Sequence, residues 1–188
     1  MKPVLLVALV LSFASPKAAS ARRAAGVTLP DSVDIDGKRL ALNGMGVHEV
    51  TVFGVDVYVA GLYLERKMSN SMAVLSDHGT KHMIIRFKRD VDRSDLLERV
   101  RDELRPTLRR QRAGVRAELN RILGTLRAVR SGHTLTLTMK KTGWIEVRQN
   151  GGLRARSKNP ALASYLLATW VGPRPLSSDL KRNLLGRR

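Results

Sequence analysis

The sequence predicts one α+β domain in which a layer of helices covers one face of an antiparallel sheet. Segments in which apolar and polar residues alternate occur in both halves of the chain, bounded by Gly, Asn and Pro, and indicate strands. Between them lie two segments whose apolar residues recur at helical spacing. The 188 residues contain no internal repeat and no low-complexity linker, and this length suits a single domain.

The first residues are predicted to be a signal peptide and not part of the fold. Lys2 precedes an apolar run from Val4 to Ala14, and Ala19-Ser20-Ala21 has the small-x-small pattern of a cleavage site. We therefore expect a signal peptide over residues 1–21, a mature domain over residues 22–188, and a periplasmic or secreted protein. The alternative is an N-terminal anchor that is not removed.

The chain carries a formal net charge of +18, which is typical of proteins that meet an acidic partner. Its few aromatic residues do not alternate with basic residues as they do in surfaces that stack nucleic-acid bases, so we predict no nucleic-acid partner. The arginines are spread along the chain, which favours a solvated basic surface. The alternative is a surface that docks onto an anionic envelope.

The composition also limits metal and covalent chemistry. The chain lacks cysteine, which excludes disulfides, thiolate metal sites and a lipid-modified N-terminus. Of its four histidines only His78 and His82 are four residues apart, and we expect them on opposite sides of a turn. No glycine-rich phosphate loop and no serine nucleophile motif occurs. We therefore predict no metal site and no cofactor.

Residues 27–64 are predicted to form strands. Asp36-Gly37 lies between two apolar alternating segments and is a strong hairpin signal. Gly44 and Gly46 permit a bend before the strand that carries His48.

The next predicted strand, residues 55–64, changes its pattern midway. Val57 and Val59 share one side, but after Gly61 the bulky apolar side holds Leu62. Such a change occurs at a bulge, or in a strand that is covered on both faces.

The middle of the chain is predicted to contain three helices and one strand. The first helix is short, residues 69–76, and a strand follows over residues 81–89. A second helix begins at Asp92 or Ser94 and is broken or kinked at Pro106. The third covers residues 115–130, with one apolar stripe and a basic opposite face.

The C-terminal part is predicted to be three strands followed by two helices. The strands cover residues 133–139, 144–148 and 153–156, and turn residues separate them. Asn159-Pro160 is a helix start, with Asn as the cap and Pro as the first residue. A last short helix is expected over residues 179–185.

His48 is the candidate for a functional side chain, and two interpretations remain open. On an extended backbone it shares its side with Val50 and Val52, so it points toward apolar space, where a charge is costly unless it is paired. It is either a hydrogen-bonded histidine at the start of a strand, or a donor to the anionic or carbonyl head of a ligand at the mouth of a cleft.

Three stretches together resemble the bacterial branch of the chalcone isomerase-like proteins: LNGMGVHEVTVFGVDVYVAGLYL, IIRFKRDVDRSDLLERV and NPALASYLLATWVGPRPLSSDLKRNLLG. The resemblance extends from about Val27 to Leu185. It implies an open-faced β-sandwich, a large antiparallel sheet with a helical layer. Proteins of this family are either plant isomerases that cyclise chalcones or non-catalytic relatives, some of which bind fatty acids in the same cleft.

The resemblance also implies which isomerase residues are present. The family's ligand-facing arginine falls on His48, and the isomerase threonine falls near Val59. At the isomerase's tyrosine and asparagine the chain has neither residue type, and Ser94 and Arg101 lie nearby. The cyclising residues are therefore not preserved, and we assign no catalytic residue.

The sequence and the resemblance together predict an exported, non-catalytic, monomeric binder of a small apolar or amphipathic ligand such as a fatty acid. The ligand would lie between the sheet and the helices 94–105 and 115–130, with His48 at its polar end. The apolar wall is assigned to Val50, Val57, Val59 and Leu62. One alternative is an intramolecular lyase or isomerase of unknown substrate, in which His48 acts as acid or electrophile. The other is a structural envelope protein with a filled cleft and a basic docking surface.

Overall fold

The computed structural model describes residues 21–50 and 55–187, and the side chains of residues 50, 55 and 56 are also outside the description. The predicted signal peptide lies, up to residue 20, outside the described residues. The strands are β1 (Ala21–Ala24), β2 (Val27–Pro30), β3 (Ser32–Ile35), β4 (Lys38–Val50), β5 (Val55–Leu64), β6 (Lys81–Phe87), β7 (Thr134–Met139), β8 (Trp144–Gln149) and β9 (Gly152–Lys158). The helices are α1 (Ser71–Ser76), α2 (Arg93–Leu108), α3 (Ala113–Gly124), α4 (Pro160–Val171) and α5 (Ser178–Leu184).

The predicted fold class is confirmed. Strands β3 to β9 form one antiparallel sheet in which each strand pairs with its neighbours in sequence, and β1 pairs with β2 in a separate hairpin. The helices pack on one face of the large sheet, and this helix face contributes most of the hydrophobic core. Within the described part of the chain, no helix is both long enough and apolar enough to span a bilayer.

The elements with strong local signals form where the sequence predicts them. Asp36 and Gly37 have φ angles of 50° and 75°, as a two-residue hairpin turn between β3 and β4 requires. The Asn159 side chain accepts a hydrogen bond from the Leu162 amide and caps α4, with Pro160 as its first residue.

Two helix ends differ from the prediction. Helix α2 continues through Pro106 to Leu108, because a proline near the C-terminal end of a helix removes only one backbone donor from it. Helix α3 ends at Gly124, not at residue 130. The segment beyond it leaves helical geometry so that the backbone of Val129 can pair with that of Val91, with N–O distances of 2.8 and 2.9 Å.

A β-bulge at Asn43 reverses the faces of β4. Leu42 pairs with Tyr63 and Gly44 pairs with Leu62, so Asn43 is an extra residue without a partner in the ladder. Before the bulge, Leu42 lies on the outer face, the one opposite the helices. After it, the even-numbered residues of β4 face the helices, because one inserted residue shifts the side-chain alternation by one.

Hydrogen bonds from the buried Asn43 side chain hold this bulge in place. Its Nδ2 donates to the carbonyls of Met68 and Leu184 at 3.0 and 2.7 Å, and its Oδ1 accepts from the Met68 amide at 2.7 Å. The bulge is thereby connected both to the loop after β5 and to the end of α5.

Gly44 and Gly46 do not separate two strands, since β4 runs without interruption from residue 38 to residue 50, and the irregularity in its pairing lies beside Gly44, at Asn43. The glycines are needed for close packing against α5. A Cβ at Gly44 would lie 2.0 Å from the Asn183 carbonyl oxygen, and one at Gly46 would lie 2.7 Å from the Asn183 Cβ. Only glycine permits the helix to approach the strand this closely.

The outer face is buried over β4 and β5, which confirms that β5 is covered on both faces. Tyr63 is fully buried there, and its hydroxyl donates to the Pro30 carbonyl at 2.9 Å. His82 lies beside it with a ring-centroid distance of 6.1 Å, and its Nδ1 is 2.8 Å from the Thr138 hydroxyl. Burial lowers the pKa of His82 to about 4.

We expect Gly44→Ala to lower the free energy of unfolding by about 3 kcal/mol, because α5 must move away from β4 to admit the methyl group. Gly114→Ala is the matched control, since a Cβ at this α3 position meets no atom within 4 Å and should stabilise the helix by up to about 1 kcal/mol. Urea denaturation of both variants checks this. Equal stabilities for Gly44→Ala and the parent would contradict the assigned close approach.

The pKa of His82 makes stability depend on pH in a specific direction. A folded-state pKa of about 4, below the ordinary value of 6.5, means that the unfolded chain binds the proton more readily. The contribution is complete above pH 6.5 and is lost as the pH falls toward 4, up to about 3 kcal/mol. We therefore expect the free energy of unfolding of the parent to fall relative to that of His82→Asn as the pH decreases from 6.5 to 4. Urea titrations at several pH values measure it, with exposed His78→Asn as the control that should track the parent.

Candidate functional site

A cavity of about 130 Å³ lies between the helix face of the sheet and the helices α2, α3 and α4. Strands β4 to β8 form its floor, and most of the lining side chains are aliphatic or aromatic. Polar atoms enter the lining from six side chains: His48, Tyr58, Arg99, Glu103, Thr169 and Trp170. The cavity is therefore apolar along most of its length, as ligand pockets in proteins usually are.

An apolar cavity of this kind lowers the stability of the folded protein. Protein interiors are normally close-packed, and an unfilled apolar volume lowers stability by about 24 cal/mol per Å³. A ligand that fills the cavity with apolar atoms would recover part of this free energy.

His48 is placed in the cavity wall by the bulge at Asn43, and it is only 5% exposed. Its Nε2 lies 3.3 Å from Oε1 of Glu103 on α2. Its ring stacks on that of Tyr58, its pairing partner on β5, with centroids 4.8 Å apart and planes at 21°. Its Nδ1 is buried without a hydrogen-bond partner among the described residues.

Tyr58 is the second polar group of the wall. Its hydroxyl oxygen accepts a hydrogen bond from Trp170 Nε1 at 3.4 Å. Burial raises the pKa of Tyr58, and the nearby Glu103 carboxylate raises it further. The phenol therefore stays protonated, and its O–H proton has no acceptor among the described residues. It is available as a donor to a ligand.

Helix α2 supplies the two charged side chains of the lining. Arg99 and Glu103 are four residues apart and lie on the same helix face as Val100 and Leu104. Arg99 is exposed, and the Glu103 side chain is 35% exposed while it contacts the buried His48. These polar groups mark one end of the cavity as its boundary with solvent.

Of the five side chains assigned to the site from sequence, the structure brings two together in the cavity wall, His48 and Val57. Val59 is buried on the outer face, where it pairs with Val47 and Arg86. Leu62 is buried on the helix face, where it pairs with Gly44, and it does not line the cavity. The side chain of Val50 lies outside the described residues.

The separation of Val57 from Val59 has a structural cause. His48 pairs with Tyr58 and Glu49 pairs with Asp56, so a second irregularity in the ladder leaves Val57 as an extra residue. Val57 and Tyr58 both reach the cavity for this reason, although they are adjacent in sequence. The alternation of valines in this strand does not reveal such an insertion.

The residues carried over from the isomerases are also placed. On the cavity side, the position near Val59 is occupied by Tyr58. Ser94 and Arg101 are exposed and do not line the cavity. None of these three side chains is of the type found at the corresponding isomerase position.

Sequence reasoning missed Tyr58, Glu103 and Trp170 as functional residues. Glu103 carried a usable signal, because it lies at helical spacing within the apolar stripe of α2, where a carboxylate is unusual. Tyr58 and Trp170 carried no local signal, since their contact joins residues 112 positions apart.

Comparisons with known proteins agree with this architecture. Residues 21–186 match the model of the family described as chalcone isomerase-like. The curated proteins include no match to this sequence. Among solved structures, the fold is similar to that of a fatty-acid binding protein from Arabidopsis thaliana, with a TM-score of 0.69, 14% sequence identity, and coverage of 88% of this chain and 96% of that chain. Because the family match spans nearly the whole chain, the protein belongs to the chalcone isomerase-like family.

Proposed function

We propose that this protein binds a small apolar or amphipathic ligand, such as a fatty acid, in the cavity beneath α2, and does not turn it over. The observation that carries the proposal is an apolar cavity whose charged side chains lie together at one end. An amphipathic molecule has the same division between an apolar body and a polar head. The structural likeness to a plant fatty-acid binding protein supports the same ligand class.

The volume of the cavity limits the size of a ligand that can bind without movement of the surrounding helices. A cavity of about 130 Å³ is close to the ~150 Å³ that holds benzene in an engineered protein. A short alkyl chain fits a space of this size, whereas a long chain requires α2 to move away from the sheet. We therefore expect affinity to depend on chain length.

The absence of turnover is part of the proposal and rests on the side chains at the polar end. The raised pKa of Tyr58 makes its phenol a poor general base near neutral pH. The isomerase positions near Ser94 and Arg101 lie outside the cavity lining. The residues that cyclise chalcones in the isomerases are therefore not assembled around this cavity.

Filling the cavity should abolish binding without unfolding the protein. Val100 lines the cavity from α2, so Val100→Phe should weaken the binding of a medium-chain fatty acid by at least roughly tenfold. The same change should keep or raise the melting temperature, because it fills a void. Calorimetric titration and thermal denaturation measure the two effects.

Leu108→Phe is the matched control for this experiment. Leu108 is on the same helix and packs against the same core but does not line the cavity, so the variant should bind like the parent. Equal binding by Val100→Phe and the parent would place the ligand elsewhere and contradict the proposed site.

Export belongs to the same proposal and rests on the N-terminal pattern of Lys2, the apolar run and Ala19-Ser20-Ala21. The α2–α3 region carries several exposed arginines without a carboxylate partner among the described residues, and these suit the anionic surface of an envelope; examples are Arg101, Arg109, Arg110 and Arg112. We expect the protein isolated from the envelope fraction to begin at Arg22, within a few residues. N-terminal sequencing that finds Met1 would contradict export by cleavage.

A further inference from the structure

The polar end of the cavity already contains a carboxylate. Glu103 Oε1 lies 3.3 Å from Nε2 of His48, so the ring nitrogen that could donate to an anionic head group faces an anion of the protein itself. The other ring nitrogen is buried and has no partner among the described residues. At Nε2, an incoming carboxylate would have to share His48 with Glu103 or displace it.

Tyr58 is the second side chain that bears on the head group of a ligand at this end. Its hydroxyl lies in the cavity wall, where burial and the Glu103 carboxylate both disfavour the tyrosinate, while the hydrogen bond from Trp170 only partly opposes them. A ligand oxygen that accepts the Tyr58 proton must lie next to this hydroxyl. The surroundings that disfavour a negative charge on the phenol also disfavour one on such a ligand oxygen.

Arg99 carries the positive charge that could compensate for Glu103 and stabilise an anionic head group. It lines the same end of the cavity, but its side chain is exposed, and the interactions of an exposed charge are weakened by water and salt. Thr169 and Trp170 contribute uncharged groups. The charged side chains in the described lining are thus the exposed Arg99 and Glu103, and His48, the buried candidate donor, already faces Glu103.

We propose that the cavity selects amphiphiles with an uncharged hydroxyl head, such as fatty alcohols, over fatty acids in their carboxylate form. A hydroxyl can accept from Tyr58 and donate to Glu103, whereas a carboxylate only accepts. Glu103 is the residue that determines this specificity. The inference rests on the proposed function, because it concerns the head group of the ligand in the same cavity.

The test compares decan-1-ol with decanoate, two probes of equal chain length, by calorimetric titration of the full chain at about pH 8, where decanoate is ionised. We expect decan-1-ol to bind roughly tenfold more tightly than decanoate. Equal or tighter binding of decanoate would overturn the inference while leaving the proposed function in place. If neither probe binds, the proposed function itself fails.

Variants of α2 identify the residue responsible. Glu103→Gln keeps the size of the side chain and removes the charge, so the preference for the alcohol should fall to about twofold or less. Glu98→Gln is the matched control, because Glu98 is exposed on the same helix and does not line the cavity. It should keep the preference of the parent. An unchanged preference in Glu103→Gln would overturn the assignment, and circular dichroism verifies that both variants are folded.

Discussion

One inserted residue, Asn43, determines what the two halves of β4 do. Before it, Leu40 and Leu42 fill the outer face, and after it Gly44, Gly46 and His48 face the helices. A strand without this bulge would direct Gly44 and His48 to the same face as Leu42. The hydrogen bonds of the buried Asn43 side chain offset the loss of regular pairing and tie the bulge to α5.

The two ends of β4 are consequently packed in opposite ways. At Gly44 the backbone of α5 approaches so closely that a methyl group cannot be accommodated. Toward His48, α2 lies farther from the sheet and a cavity remains between them. Tight packing at one end stabilises the sheet–helix interface, and the cost of the void at the other end is small enough to be tolerated. A fold of this kind can hold a ligand without losing its single structure.

The parts of the fold that could be predicted are those with local causes. The Asp36-Gly37 turn and the Asn159 cap depend on residues adjacent in sequence, and both are where the sequence predicts them. The bulges could not be predicted, because they depend on pairing between strands and on a contact between Asn43 and Leu184 of α5, 141 positions away. Such a bulge places Val57 and Val59 on different faces of the sheet. The regular alternation assumed for this strand therefore assigned Val59 to the cavity wall, whereas it lies on the outer face.

Within the candidate site, His48 shows the same difference between features with local causes and features that depend on distant residues. Its burial could be predicted from its place among valines, which is a local pattern, and the structure confirms it, whereas the face on which it lies is set by the bulge at Asn43. Its partners could not be inferred, since Glu103 comes from a helix 55 residues later and the stacked Tyr58 from the next strand. The carboxylate matters for the proposed head-group preference, because it gives His48 an anionic partner before any ligand binds.

The gradient of burial along the cavity fixes the direction in which an amphiphile can bind. Arg99 and Glu103 lie where the cavity meets solvent, so their charges keep part of their hydration. The opposite lining, formed by residues such as Leu119 and Val147, is buried and offers no polar atom. A polar head placed there would lose its hydrogen bonds with water and gain none, at a cost of a few kcal/mol. If an amphiphile binds as proposed, its head would therefore lie between β4 and α2, and its apolar chain would extend under α3 toward β7 and β8.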